Sequence, residues 1–113
     1  MARVLAYVPD LLFGSNVLGT LQAAGHHVQL VADLERPEQL ADVDVLVVDL
    51  TADAPARVQI VRSLPRLPTL AFYAHVESEV RSLAQEAGIE LVVPRSRMAR
   101  EGATLVERLV GGQ

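Results

Sequence analysis

The side chains best suited to chemistry in this chain lie at or just after the ends of short apolar runs. They are Asp10, Asp33, Asp49, Tyr73, His75 and Arg95. Carboxylate oxygens can hold a divalent cation or accept a phosphoryl group, and arginine can clamp a phosphate through two parallel hydrogen bonds. Polar side chains also end the strands of sheets that bind nothing, so the same set is compatible with an ordinary sheet edge.

The apolar runs themselves are predicted strands. They are Val4–Val8, Val28–Ala32, Val45–Leu50, Thr69–Tyr73 and Leu91–Val93. Each run is apolar at nearly every position, which is typical of strands that are covered on both faces in a parallel sheet. Ligands of open parallel sheets bind at the carboxyl ends of the strands, which is where these polar side chains would lie.

Helices are predicted after each of the five strands. The first covers about Leu12–Ala24 and ends at Gly25, and the second is short, with Pro37 in its first turn. The third begins near Pro55, after the capping residue Asp53. The fourth is capped by Ser78 and ends at Gly88, and the fifth runs from about Met98 to Gly111. Right-handed crossovers would place these helices on both faces of one sheet. No linker interrupts the alternation, so residues 1–113 are predicted to form a single (βα)₅ domain.

Composition excludes several classes of function. Half of the 113 residues are hydrophobic, which is incompatible with a disordered tail, and the net charge of −4 argues against a nucleic-acid surface. The chain has no cysteine, and all ten basic residues are arginine, so disulfides, thiolate chemistry and lysine amine chemistry are absent. No apolar stretch is long enough to span a membrane. We therefore expect a cytoplasmic protein that binds neither nucleic acid nor membrane.

Four motifs, taken in order, give the chain a resemblance to a known family. The motifs are Arg3–Val8, Ala23–Val28, Val45–Leu50 and Glu86–Gly88. Together they resemble the receiver domain of two-component response regulators over nearly the whole chain. The resemblance implies a flavodoxin-like three-layer α/β sandwich with parallel strand order 2-1-3-4-5. It also implies that Asp49 lies at the position of the phosphorylated aspartate.

The metal-holding acids of receivers are missing from this sequence. Receivers carry an acidic pair after the first strand that binds Mg²⁺, and Val8 and Pro9 stand at those places, with Asp10 next along the chain. Valine and proline offer no side-chain oxygen, whereas Mg²⁺ requires hard oxygen ligands. This departure from the receiver pattern predicts no metal site and no cofactor; Mg²⁺ would bind only if Asp49 is a phosphoacceptor, with Asp10 as a partial ligand.

Two further positions depart from the receiver pattern. Tyr73 matches the hydroxyl residue at the end of strand four, and Pro94 matches the lysine after strand five, with Arg95 beside it. In one alternative, Arg95 replaces that lysine and Asp49 accepts a phosphoryl group with Mg²⁺ bound. In the other, Asp49 only caps the turn that follows it. His75 could join Asp10 and Asp49 around a metal ion, although a polar strand end explains it equally well.

The leading hypothesis is a stand-alone, degenerate receiver-like (pseudo-receiver) module without enzymatic activity that acts through protein–protein contact. The alternatives are a phosphoryl-accepting receiver that uses Asp49 and a flavodoxin-like domain that binds a small ligand between strands one and three. The partner would be another signalling protein or a second copy of the chain.

The predicted contact surface is formed by helix four, strand five and helix five. Its residues are Arg95, Arg97, Met98 and Arg100. Helix four adds nearby charges at Glu77, Glu79, Arg81, Glu86 and Glu90. A surface with both charge signs beside apolar side chains can complement itself across a two-fold axis. The alternative is that these arginines pair with acids of their own subunit.

Overall fold

The computed structural model describes residues 2–74 and 77–111, in which five strands alternate with helices. The elements are β1 Arg3–Tyr7, α1 Leu11–Ala23, β2 His27–Val31, a 3₁₀ helix Pro37–Leu40, β3 Val45–Asp49, α2 Ala54–Arg62, β4 Thr69–Tyr73, α3 Ser78–Glu86, β5 Leu91–Pro94 and α4 Arg95–Val110. All five predicted strands are present to within one residue. In these described ranges no helix is both long and apolar enough to cross a lipid bilayer.

The strands form one parallel sheet in the order β2-β1-β3-β4-β5. This confirms the predicted flavodoxin-like architecture and its strand order. Every residue of β3 and β4 is buried, as the uninterrupted apolar runs predict, whereas β2 at the edge has no buried residue. The end of β3 therefore lies in the best-covered part of the sheet, and Asp49 is its last residue.

Helices cover both faces of the sheet and enclose two apolar cores. Val17 and Leu21 of α1 pack with Leu105 of α4 on one face, while Val58 of α2 packs with Ala84 of α3 on the other. Burial of these side chains stabilises the fold because it removes apolar surface from water.

The prediction of five α-helices is wrong for the second crossover. The stretch between β2 and β3 contains only the four-residue 3₁₀ helix, which Pro37 begins. Asp42, two residues after its end, has a positive φ of 61°, a conformation that does not continue a helix. The connection between β2 and β3 therefore contributes a 3₁₀ turn, and not an α-helix, beside the edge strand β2.

Several helix starts also differ from the predictions. Asp53 precedes α2 but has a left-handed backbone (φ 50°), and its side chain makes no capping hydrogen bond. Ser78 lies inside α3, whose N-cap is Glu77. The last helix begins at Arg95, three residues before Met98, because Pro94 has the extended backbone that immediately precedes a helix. The predicted stops hold, since Gly25 and Gly88 both have positive φ.

Two glycine-to-alanine substitutions are expected to change stability in opposite directions. Gly19 is exposed inside α1, and an added Cβ would meet no atom within 4 Å. Gly19→Ala should therefore raise the free energy of unfolding by about 0.5–1 kcal/mol. Gly88 has a φ of +86°, so Gly88→Ala should lower it by about 1 kcal/mol. Urea unfolding followed by circular dichroism measures both, and effects of the same sign would contradict the backbone argument.

Candidate functional site

Asp49 lies at the carboxyl end of β3 with only 3% of its surface exposed. Its Oδ1 atom accepts hydrogen bonds from the Thr51 amide at 2.7 Å and the Thr51 hydroxyl at 2.5 Å. An aspartate that bonds to the backbone two residues on forms a local turn, so these contacts fix the carboxylate where β3 ends. Asp49 thus lies at the carboxyl-end edge of the sheet, where the sequence predicted it.

The basic partner of Asp49 is Arg57, which lies one turn into α2. Its Nη1 atom is 3.7 Å from Asp49 Oδ2 and donates a hydrogen bond to the Asp49 carbonyl oxygen at 2.9 Å. The guanidinium also lies over the ring of Tyr7, with Cζ 5.7 Å from the ring centroid. The Arg57 side chain is only 12% exposed. A largely buried cation of the chain itself therefore balances the buried carboxylate.

The residues around Asp49 do not suit Mg²⁺. Val8 is buried and Pro9 is half-buried, and neither carries a side-chain oxygen. Asp10 is exposed and serves as the N-cap of α1, where its Oδ1 accepts the Phe13 amide at 2.9 Å. Over residues 2–74 and 77–111, no three His, Asp or Glu side chains are grouped so as to hold a metal ion. Mg²⁺ prefers near-octahedral oxygen ligands, which this donor set does not supply.

In the part of the chain that the structure describes, Asp10, Tyr73 and Arg95 form no hydrogen bond or ion pair with Asp49. Tyr73 is buried at the end of β4 among the apolar side chains that α2 and α3 cover. Arg95 is exposed at the start of α4, and its guanidinium lies over the ring of Phe13, with Cζ 5.4 Å from the centroid. The arginine beside Asp49 is thus Arg57 and not Arg95. His75 lies outside the described residues.

The predicted contact surface also changes. Met98 is only 2% exposed and packs in the apolar core beneath α4, so its prediction as a surface contact is wrong. Arg97 Nε lies 3.3 Å from Glu101 Oε1, and Arg100 Nη2 lies 3.8 Å from Glu101 Oε2. These two arginines pair within their own helix, which is the alternative that the sequence left open.

An apolar surface appears instead on the first turn of α1. Leu11 and Leu12 are 82% and 87% exposed, and they are the two most exposed large hydrophobic side chains in the described part of the chain. Beside them, α1 and α4 enclose an open groove, here called the α1–α4 groove, which is lined by Asp10, Leu12, Phe13, Asn16, Arg95 and Ala99. Phe13 is held in place by Phe72 of β4, at a ring-centroid distance of 4.8 Å.

Sequence reasoning missed Arg57, Thr51 and the leucine pair as functional candidates. Thr51 could have been found, because a hydrogen-bonding residue two positions after an aspartate is a common turn pattern. Arg57 had a weaker signal, since its contact depends on the direction in which α2 leaves the sheet. The predicted helix began at Leu12, whereas α1 begins at Leu11. The side chains of both leucines therefore fell at an uncertain helix boundary, and their exposure could not be read from the sequence.

No protein-family model and no curated protein sequence matches the chain. Solved structures do match over nearly its whole length. A response regulator from Thermotoga maritima is 13% identical with a TM-score of 0.81, covering 98% of each chain. A response regulator receiver domain protein from Clostridium thermocellum is 13% identical with a TM-score of 0.78, covering 99% of this chain and 96% of that one. The non-phosphorylated HemR receiver domain from Leptospira biflexa is 20% identical with a TM-score of 0.77, covering 97% of this chain and 94% of that one. The chain therefore has the fold of response-regulator receiver domains.

Proposed function

We propose that this protein is a receiver-like signalling module that acts through contacts with other protein chains and does not accept a phosphoryl group at Asp49. It has no enzymatic activity of its own and holds no metal or cofactor. The observation that carries this proposal is the arrangement around Asp49, in which Thr51 binds one carboxylate oxygen and Arg57 lies beside the other. The fold shared with receiver domains supports the assignment to signalling.

Phosphoryl transfer makes two demands that this edge of the sheet does not meet. The transferring group spreads negative charge over three oxygens, and a metal ion normally neutralises that charge. The attacking carboxylate oxygen must also be free to approach in line with the leaving group. Here Asp49 is almost fully buried, and Val8 stands where a metal-holding acid would be needed.

Arg57 does not substitute for the missing metal. A guanidinium can clamp phosphate oxygens, but only if its donors are available to the incoming group. The Nη1 atom of Arg57 already donates to the Asp49 carbonyl oxygen, and the guanidinium lies on the Tyr7 ring. Arg57 is therefore a structural counter-charge to Asp49. Its contacts hold the carboxyl end of β3 in one conformation without a covalent modification of Asp49.

The expected result of incubating the protein with acetyl phosphate and Mg²⁺ is an unchanged intact mass. The physical reason is the absence of fixed oxygen ligands for Mg²⁺ beside a carboxylate that is already bonded to its own chain. Mass spectrometry under non-denaturing and mildly acidic conditions reads the outcome directly, and Asp49→Asn is the matched control. A phosphate adduct that forms on the natural chain and is lost in Asp49→Asn would overturn the proposal.

A further inference from the structure

We propose that a second copy of this chain docks on the α1–α4 groove. In this arrangement, Leu11 and Leu12 of each copy insert into the groove of the other across a two-fold axis. Both parts of the contact lie on one surface, since the leucine pair borders the groove that would receive it. Leu12, Phe13 and Ala99 give the groove an apolar part, and Asp10, Asn16 and Arg95 give it a polar rim. A projecting apolar pair beside such a groove is self-complementary under two-fold symmetry, where the same patch meets itself.

The leucine pair is not explained by the packing of its own chain. Asp10 caps α1 and fixes the helix phase, so that Val17 and Leu21 face the core and the first two residues face outward. Single exposed leucines are common on protein surfaces, but Leu11 and Leu12 are adjacent and Leu12 lines the groove beside Phe13. Covering that pair would remove most of the exposed surface of two leucines per copy from water.

The exposed face of α1 also lacks charge. None of the thirteen residues in Leu11–Ala23 is charged, although the whole chain carries a net charge of −4. Interface cores are depleted in charged residues relative to the rest of a protein surface. A second copy of an acidic chain would thus approach this face without meeting like charges on it.

Opposite charges on two sides of the groove complete the argument for a second copy. Asp10 is exposed and uses only Oδ1 in its capping bond, which leaves Oδ2 available. Arg95 is exposed and stacks on Phe13 inside the groove. When the leucines of one copy enter the groove of the other, the neighbouring Asp10 approaches Arg95 of the second copy. The two-fold axis repeats this pair, so that Asp10 of the second copy approaches Arg95 of the first. Such pairs mainly fix orientation, while the buried leucines and Phe13 supply affinity.

Sedimentation velocity over a range of about 1 to 500 µM tests the proposal, since this range resolves dimer dissociation constants from micromolar to submillimolar. The natural chain should be a monomer–dimer mixture, and Leu11→Ser combined with Leu12→Ser should raise the dimer dissociation constant by at least about 30-fold. Val110→Ser is the matched control, since Val110 is exposed (45%) at the far end of α4 and should leave the constant unchanged. Circular dichroism verifies that each variant is folded.

Charge variants test the geometry. Arg95→Glu should weaken the dimer, because it faces Asp10 of the second copy with a like charge. Asp10→Asn in the same chain removes that repulsion while asparagine still caps α1, so the double variant should recover part of the association.

Cysteine cross-linking supplies an independent readout, since the chain contains no cysteine. Ser15→Cys, one turn along the exposed face of α1, should form a disulfide-linked dimer on mild oxidation, whereas Ser82→Cys on α3 should not. A natural chain that stays monomeric throughout the range, an unaffected double-leucine variant, or equal cross-linking of both cysteines would overturn the proposal. Binding of the monomer to lipid vesicles or to a different protein, without self-association, would also overturn it. Each of these results leaves the phosphorylation test at Asp49 untouched.

Discussion

Arg57→Met is expected to lower the free energy of unfolding by about 3 kcal/mol, because it removes the cation that balances a buried carboxylate. Methionine keeps most of the apolar volume of the arginine stem, so the loss reports on charge and hydrogen bonding. Asp49 would keep its two bonds to Thr51 but would lose its counter-charge, and its carbonyl oxygen would lose the hydrogen bond from Nη1. Urea unfolding monitored by far-ultraviolet circular dichroism measures the change.

Arg62→Met is the matched control, since Arg62 lies on the same helix and is exposed. It should change the free energy of unfolding by less than about 0.5 kcal/mol. Asp49→Asn combined with Arg57→Met should recover much of the loss, because asparagine still accepts from Thr51 but leaves no charge to balance. If Arg57→Met costs no more than Arg62→Met, the guanidinium does not serve as the counter-charge of Asp49.

Phe72→Ala is expected to cost about 3–5 kcal/mol, the range for truncating a fully buried phenylalanine. Phe72 is completely buried in β4 and supports the ring of Phe13, which forms the floor of the α1–α4 groove. The substitution should therefore weaken the fold and loosen the groove together. Chemical unfolding gives the first effect, and the dimer dissociation constant gives the second.

Phe72→Leu separates volume from aromatic contact. Leucine fills most of the space, so the repacking should lower the free energy of unfolding by no more than about 1.5 kcal/mol. Loss of the aromatic pair with Phe13 should lower it by roughly 0.5–1.5 kcal/mol more. A cost for Phe72→Leu equal to that for Phe72→Ala would show that the ring pairing with Phe13, and not filled volume, dominates at this position.

The sheet was predictable because its signal is local and repeated. The strand Val45–Asp49 is apolar up to its last residue, and all its residues are buried in the structure. Gly25 and Gly88 mark helix ends because only glycine adopts positive φ without strain, which is a property of the residue itself. The second crossover was less predictable, since Pro37 is compatible with the first turn of an α-helix as well as with a 3₁₀ helix.

Caps and side-chain directions depend on geometry that residue type does not determine. Asp53 has a suitable capping side chain, but its left-handed backbone prevents the capping bond. Met98 was predicted to lie at the surface because it stands among the arginines of residues 94–100. Its spacing of seven and eleven residues from Leu105 and Leu109 places it on the same inward stripe of α4.

Within the candidate site, the position of Asp49 followed from the end of a strand, but its partner did not. Arg95 is adjacent in sequence to the place where receivers carry a lysine, and it was therefore the arginine expected beside Asp49. The side chain that reaches Asp49 comes from α2, eight residues along the chain. Which of the two arginines lies near the carboxylate depends on how each helix leaves the sheet, and that is a tertiary property.

The thin cover over β2 means that the sheet is unevenly protected against local opening. β2 has no buried residue, and only a four-residue 3₁₀ helix lies in the connection that follows it, whereas β3 and β4 are buried throughout. Local unfolding costs least where few apolar contacts must be broken. We therefore expect amide hydrogen exchange to be faster in β2 than in β3 and β4, where Asp49 ends the central strand.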